Sequence, residues 1–221
     1  MLNARKTPRQ KRSRETVAVI IEAAAQVFQR EGYAATTTNK IAERAGVSIG
    51  SLYQYFPDKD ALLVTLAEQE LAAATEVIEG LLAQLGAAGT SGAELLRELV
   101  YATAASHIEQ PRLHQLLFDE APRLPALVTR FRLTERRLAK ALAPHLERSG
   151  EATADRELAA LLAIQGIAAQ LHGAVLDPPE GYTWRDCVEQ IITMWSRALQ
   201  LGEAQSEPRH PGPIPPAQRS G

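Results

Sequence analysis

Residues 38–56 read TNKIAERAGVSIGSLYQYF. They predict two short helices joined by a tight turn, the second shaped to lie in a DNA groove. Thr38 is a candidate helix cap, a hydroxyl able to accept from an otherwise unbonded first-turn N–H. Ile41, Ala42 and Ala45 follow on one side at helical spacing. Gly46 ends that helix, where a left-handed backbone costs a residue without Cβ little. Ser48 caps the second helix, whose Leu52 and Phe56 are four apart and face inward. Ala42 is small where the helices cross, so their backbones can approach closely. This is the pattern of a helix-turn-helix, whose second helix reads the major groove.

The same turn would also suit an ordinary αα-corner. The outward residues favour the DNA reading: Ile49, Gly50, Ser51, Tyr53, Gln54 and Tyr55 carry no charge. A solvated surface helix normally presents Glu and Lys there. Gly50 costs about 1 kcal/mol relative to Ala inside a helix. Close approach of a sugar-phosphate backbone is a reason to retain it.

The rest of the chain is consistent with a helical protein contacting a polyanion at one end. Of 221 residues, 45 % are hydrophobic, which is enough for a substantial core and argues against global disorder. Ala and Leu dominate, and no alternating β-branched run stands out, so the fold class expected is all-α. No stretch of 18 apolar residues is evident, so no membrane span is expected. The basic N-terminus has no apolar segment behind it, unlike a secretory signal. The single Cys187 excludes an internal disulfide and fits a reducing cytoplasm. The net charge of −2 divides into +4 over residues 1–60 and −6 over the remainder. Arg5, Lys6, Arg9, Lys11, Arg12 and Arg14 precede the first acid. A basic front on an acidic body points to a polyanion met at one end.

Periodicity and breakers give about nine helices. Val17, Ile20, Ile21, Ala24, Ala25 and Phe28 form the stripe of helix 1, read as 14–30 and ended by Gly32. The recognition pair follows, and Pro57 and Asp58 start helix 4, running to about Leu85. Helix 5 covers about 93–109, helix 6 about 111–120, and helix 7 about 126–148 with Pro144 kinking or ending it. Helix 8 covers about 153–176 and helix 9 about 183–201. The expected domains are a flexible basic arm (1–13), a three-helix helix-turn-helix head (14–62), a larger helical body for ligand binding and dimerisation (63–202), and a disordered Pro-rich tail (203–221).

Residues 23–63, AAAQVFQREGYAATTTNKIAERAGVSIGSLYQYFPDKDALL, resemble the tetracycline-repressor (TetR-type) family of bacterial transcription regulators. The combination of F-x-x-x-G-Y, the Thr run, I-A-x-x-A-G-V-S, L-Y-x-Y-F and the following Lys59 carries the resemblance. The body matches in length and helical layout alone. The resemblance implies a homodimer that binds a palindromic double-stranded operator, represses transcription and responds to a small molecule held in the body. By position, Thr38 and Lys59 would touch phosphates, and Ser48, Ile49, Gly50, Ser51, Tyr53, Gln54 and Tyr55 would face the groove. Gln54 is the base reader, since its amide can match adenine bidentately. Ile49 suits a thymine methyl, and Tyr53 and Tyr55 suit phosphates. Arg12 or Arg14 is placed for minor-groove contact.

In the body, helix 8 is rich in small residues, and helix 9 offers Val188, Ile191, Ile192, Trp195 and Leu199 at stripe spacing. The alternatives are a pair within one subunit and, as the resemblance implies, a four-helix bundle across a dimer two-fold. Ala163, Gly166, Gln170 and Trp195 are the candidate interface residues. Tyr101, His107, His114, Phe118, Phe131 and Gln165 are candidates to line an apolar effector cavity with a few polar anchors. His107, His114 and His172 are read as polar core or pocket-lining groups, and Gln165 and Gln170 sit among apolar residues and need partners if buried. Pro111 separates His107 from His114, and no HExxH, Cys pair or carboxylate cluster accompanies them, so no metal site is expected. No P-loop, G-x-S-x-G or G-x-G-x-x-G is present, so no cofactor and no enzymatic activity are expected. The competing readings are an α-helical enzyme or metal protein using the body histidines, and a helical nucleic-acid-binding adaptor.

Overall fold

A computed structural model describes residues 7–121, 124–147 and 156–201. Among these residues every regular element is helical: α1 (Thr7–Ala35), α2 (Thr38–Ala45), α3 (Ile49–Tyr53), α4 (Lys59–Ala87), α5 (Gly92–Glu109), α6 (Pro111–Gln115), α7 (Pro125–Glu147), α8 (Arg156–Leu176) and α9 (Trp184–Ala198). A π-turn, Leu116–Glu120, continues α6.

Several boundaries differ from the sequence reading, each for a local reason. Helix α1 begins at Thr7, so residues 7–13 of the expected flexible arm are helical. The cap of α2 is Thr37, not Thr38. Thr37 is extended (φ −128°), and its hydroxyl accepts from Lys40 N at 3.3 Å. Gly46 (φ 67°) and Ser48, which accepts from Ser51 N, behave as expected. Pro144 does not end α7, which runs on to Glu147. At Gly32 (φ 76°, ψ 170°) α1 is interrupted, and a Cβ there would lie 2.6 Å from Glu120 Oε2. The positive φ is what calls for glycine there, since the Glu120 carboxylate ends a flexible side chain that could shift. The expected tail lies outside the described residues.

Two cores form. The head core joins Ile20, Ala24, Val27 and Phe28 of α1 to Ile41, Leu52 and Phe56, then to Leu62, Leu63, Leu66 and Ala67 of α4. It also takes in Leu113, Leu116, Leu117 and Leu127, from α6, the π-turn and α7. Packing therefore carries the head past residue 62 and closes it with side chains from the body. The body core lies between α4, α5, α7, α8 and α9, around Leu96, Val100, Ala139, Ala163, Leu171 and Val188. Helix α8 is its central element, lying against α5, α7 and α9. By length and composition α8 is apolar enough to cross a membrane, a property that core helices of helical bodies share. Here it is the packed centre of a helical body.

Candidate nucleic-acid interface and effector region

The recognition surface is built by two capped helices and one buried anchor. Leu52 is fully buried, and Phe56 is 6 % exposed. Those two hold α3 on the head, so Ile49, Gly50, Tyr53 and Gln54 are left exposed. Gln54 lies one residue beyond the helix, still with αR backbone (φ −67°). Its amide is free of any protein partner among the described contacts, as a base reader requires. A Cβ on Gly50 would meet nothing nearer than Ser48 Oγ at 3.9 Å. Nothing inside the chain demands glycine at that position, so the demand is external or absent.

The remaining expected contact residues are more committed. Thr38 Oγ1 and Tyr53 OH lie 3.1 Å apart on the exposed face, so one phosphate can meet both hydroxyls. Ser48 donates to Ser51 Oγ at 3.0 Å while capping the helix. Tyr55 is half-buried and packs on the head core. Lys59 is the clearest departure from expectation. Its Nζ donates to Tyr33 O at 2.9 Å and Thr36 O at 3.2 Å, and lies 4.1 Å from the centre of the Tyr33 ring. The ammonium therefore closes the C-terminal end of α1, where carbonyls lack helical partners. Lys40 does the same from the other side, donating to Ala35 O and to Glu31. Burial and the Asp60 hydrogen bond push the Tyr33 phenol up to about 12, so it stays a donor.

The six expected effector residues do not form one cavity. Tyr101 donates to Glu189 at 2.5 Å, beside a bidentate Arg97–Glu189 pair that ties α5 to α9. Gln165 is exposed and donates to Glu135. The other four do come together, with a fifth ring from His172. His107 and His114 stack with centroids 3.8 Å apart, Phe118 lies 4.8 Å from His172, and Phe131 lies 5.1 Å from Phe118. His107 Nδ1 donates to Thr103 O, and His114 Nε2 faces Ser106 Oγ at 3.0 Å. Burial above all, then the neighbouring imidazoles, pushes His114 down to about 4 and lowers His107, so both rings are neutral at pH 7. Among the described residues no group of three or more His, Cys, Asp and Glu has a metal-holding arrangement. Face-to-face stacking explains this for His107 and His114, whose nitrogens cannot converge on one point. Two open clefts lie elsewhere. One of about 460 Å³ sits between Arg30, Arg44 and Arg112, and one of about 610 Å³ lies along α8 and α9 beside Tyr182 and Cys187.

Of the four expected interface residues, Ala163 is fully buried, and Gly166, Gln170 and Trp195 are half-buried. A Cβ on Gly166 would lie 2.2 Å from the Trp195 ring, and Trp195 Nε1 donates to Gln170 Oε1 at 2.8 Å. These three residues pin α8 to α9 within one chain, so Gly166→Glu or Trp195→Asp would damage the subunit itself. The exposed apolar face of the pair is different: Leu162 is 53 % and Met194 47 % exposed, with Ala169 exposed beside them. In the sequence, Leu162, Gln165 and Ala169 fall at i, i+3 and i+7, on one side of α8.

The π-turn was not visible in the sequence, yet it links head and body. Glu120 accepts from Tyr33 N at 3.2 Å and pairs with Arg112, which also donates to Gln29 O. One residue earlier, Asp119 accepts from His172 Nε2 at 2.9 Å.

Comparison with known proteins agrees with this architecture. Residues 20–66 match the model for bacterial regulatory proteins of the tetR family, and residues 93–199 match a tetracyclin repressor-like C-terminal domain. An uncharacterized HTH-type transcriptional regulator of Mycobacterium tuberculosis is 29 % identical over 189 residues, covering 81 % of this chain and 78 % of its own. Among solved structures, FadR from Bacillus subtilis in complex with stearoyl-CoA superposes with a TM-score of 0.66 at 21 % identity, over 81 % of this chain and 97 % of that one. The SmeT–triclosan complex superposes with a TM-score of 0.61 at 21 % identity, over 83 % and 91 %. Both halves of the chain thus match one family in sequence, and the whole matches it in fold: the protein belongs to the tetR family of bacterial transcriptional regulators.

Proposed function

We propose that the protein is a ligand-responsive repressor that binds a palindromic double-stranded operator as a homodimer in the cytoplasm, with no catalytic step and no cofactor. The observation that carries the DNA reading is the capped, anchored α3 with an uncharged exposed face of Ile49, Gly50, Tyr53 and Gln54. Phosphate contacts from Thr38, Tyr53 and Ser48 would set the position of the helix, and Gln54 would read base edges. Lys59 supports this surface from behind rather than touching DNA directly.

The homodimer reading rests on α8 and α9. Only 28 % of the most apolar stretch of α8 is buried, and Leu162, Ala169 and Met194 leave one apolar face open to water. A second copy of the same face covers it in a two-fold arrangement. The effector reading is supported by the aromatic and imidazole cluster, and by fold relatives whose structures hold stearoyl-CoA and triclosan, each with a large apolar part. A footprint on DNA flanking the gene tests the whole. Two symmetric half-sites should be protected, with centres about 34–36 Å apart. A single asymmetric site, or a stable monomer in sedimentation, overturns the dimeric operator reading.

A further inference from the structure

The ring cluster of the body contains two hydrogen-bonding atoms with nothing to bond. His114 Nδ1 and His172 Nδ1 are both buried and have no partner. Buried polar atoms are nearly always paired, so two orphans within one cluster call for an explanation. The hydrogen bonds on the opposite side of each ring define what is missing. His172 Nε2 faces the Asp119 carboxylate at 2.9 Å, so that nitrogen carries a proton, and in the neutral form of the ring Nδ1 presents a lone pair. His114 Nε2 faces the Ser106 hydroxyl, which can donate or accept, so its Nδ1 can play either role.

We propose that the cluster His114, His172, Phe118 and Phe131 binds the polar end of the effector, and that this end is a neutral hydroxyl on an apolar or aromatic body. The proposal rests on the ligand-responsive reading above. A hydroxyl can donate to His172 Nδ1 and can accept from or donate to His114 Nδ1, so the same kind of group suits either orphan. A carboxylate would set a lone pair against the lone pair of His172. An ammonium would bring an unpaired charge into a buried aromatic cluster. The Phe118–Phe131 and Phe118–His172 contacts, at 5.1 and 4.8 Å, supply aromatic walls for the apolar part. Phe118, 47 % exposed, lies against the rings of both His114 and His172 and brings the cluster to the surface. Phe118 and Asp119 belong to the π-turn, a conformation that recurs at functional sites. The next residue, Glu120, holds the head at Tyr33 N. A hydroxyl bound at His172 therefore acts, through Asp119, one residue from the head contact.

The test uses the full-length protein and three probes of one shape: 4-octylphenol, its methyl ether 4-octylanisole, and octylbenzene. The phenol should bind about 10-fold tighter than the ether, because the ether cannot donate to His172. In His172→Phe the phenol should fall to the affinity of the ether. Should that variant fail to fold, ¹⁵N-histidine NMR of the wild type serves instead, with the phenol alone moving the His172 Nδ1 resonance upfield. Equal affinity for phenol and ether, or no binding of the phenol, overturns the hydroxyl assignment. If all three probes release the operator equally, the ligand-responsive reading stands without the proposal. If the phenol is preferred yet operator affinity never changes, the hydroxyl site stands and the ligand-responsive reading falls.

Discussion

Lys40 and Lys59 both spend their ammonium groups on carbonyls at the end of α1, Ala35 O for one and Tyr33 O and Thr36 O for the other. Gly32 interrupts the helix just before them, leaving those carbonyls without regular partners. Lys59→Met keeps the aliphatic stem but removes two charge-assisted hydrogen bonds and the contact over Tyr33. It should destabilise the protein by about 2 kcal/mol, read in denaturant unfolding, and weaken specific and random DNA alike through the disturbed head. An unchanged unfolding midpoint with a lower salt slope for DNA binding would return Lys59 to the phosphate-contact role. Gln54 is the opposite case, an exposed amide with no internal task. Gln54→Ala should cost about 1–3 kcal/mol on the cognate operator, the worth of a bidentate base contact, and almost nothing on random DNA. Anisotropy titrations on both DNAs decide it, since equal losses remove Gln54 from base reading. At this scale the sequence conveys residue type and spacing well: Gly46, Ser48, Leu52 and Phe56 do what their positions predict. It conveys competition poorly. Whether Thr37 or Thr38 caps α2 depends on a φ angle, and whether a lysine reaches DNA or a carbonyl depends on where Gly32 places the end of α1.

At the scale of elements, the long helices are legible because their apolar periodicity and caps agree. Thr183 shows this at α9, where a full capping box with Asp186 sits where a hydroxyl and an acid three residues apart predict one. The π-turn is not legible, because Leu116–Glu120 differs from a continued α-helix only in a wider loop of hydrogen bonds, which leaves no mark on composition. The partners of the histidines are hidden for the same reason. His172 and Asp119 are 53 residues apart and meet only once α8 and the π-turn pack. The buried cluster nevertheless makes a prediction at this scale. His114 is neutral in the native protein down to about pH 4 because burial and the adjacent His107 and His172 disfavour its charge. In the unfolded chain it titrates near 6.5. Between those values the unfolded state binds a proton that the native state does not, so stability is intact above about pH 6.5 and falls as pH drops towards 4. Melting temperature should therefore decline from pH 7 to pH 5, and His114→Phe, which keeps a ring in the stack, should flatten that decline. The same slope in the variant would show that other groups set the acid limit.

Across the whole molecule, the head and body share more than helix α4. Leucines from α6, the π-turn and α7 complete the head core, and Glu120 grips the head beside Gly32 while Arg112 holds both Glu120 and Gln29 O. A tilt of α4 alone would have to break or drag this second connection. The π-turn also carries Phe118 and Asp119 in the ring cluster, so the two connections converge on the place where an effector is proposed to bind. Any effector that lowers operator affinity must itself be bound more weakly by the operator complex, by the same factor. A coupling of 1–3 kcal/mol corresponds to roughly 5- to 150-fold in operator affinity. Glu120→Ala removes the carboxylate from Tyr33 N and Arg112 without touching the recognition face or the five rings. Effector affinity for the free protein should stay near that of the wild type, while the effector-induced loss of operator affinity should shrink several-fold towards none. Glu120 is an exposed residue, so the fold should tolerate the change, and circular dichroism melting confirms it independently. Titrating effector into operator-bound wild type and variant, with effector binding to each free protein measured by calorimetry, separates the two quantities. Full coupling in Glu120→Ala would mean that α4 carries the signal unaided and that the Glu120 contact only steadies the head.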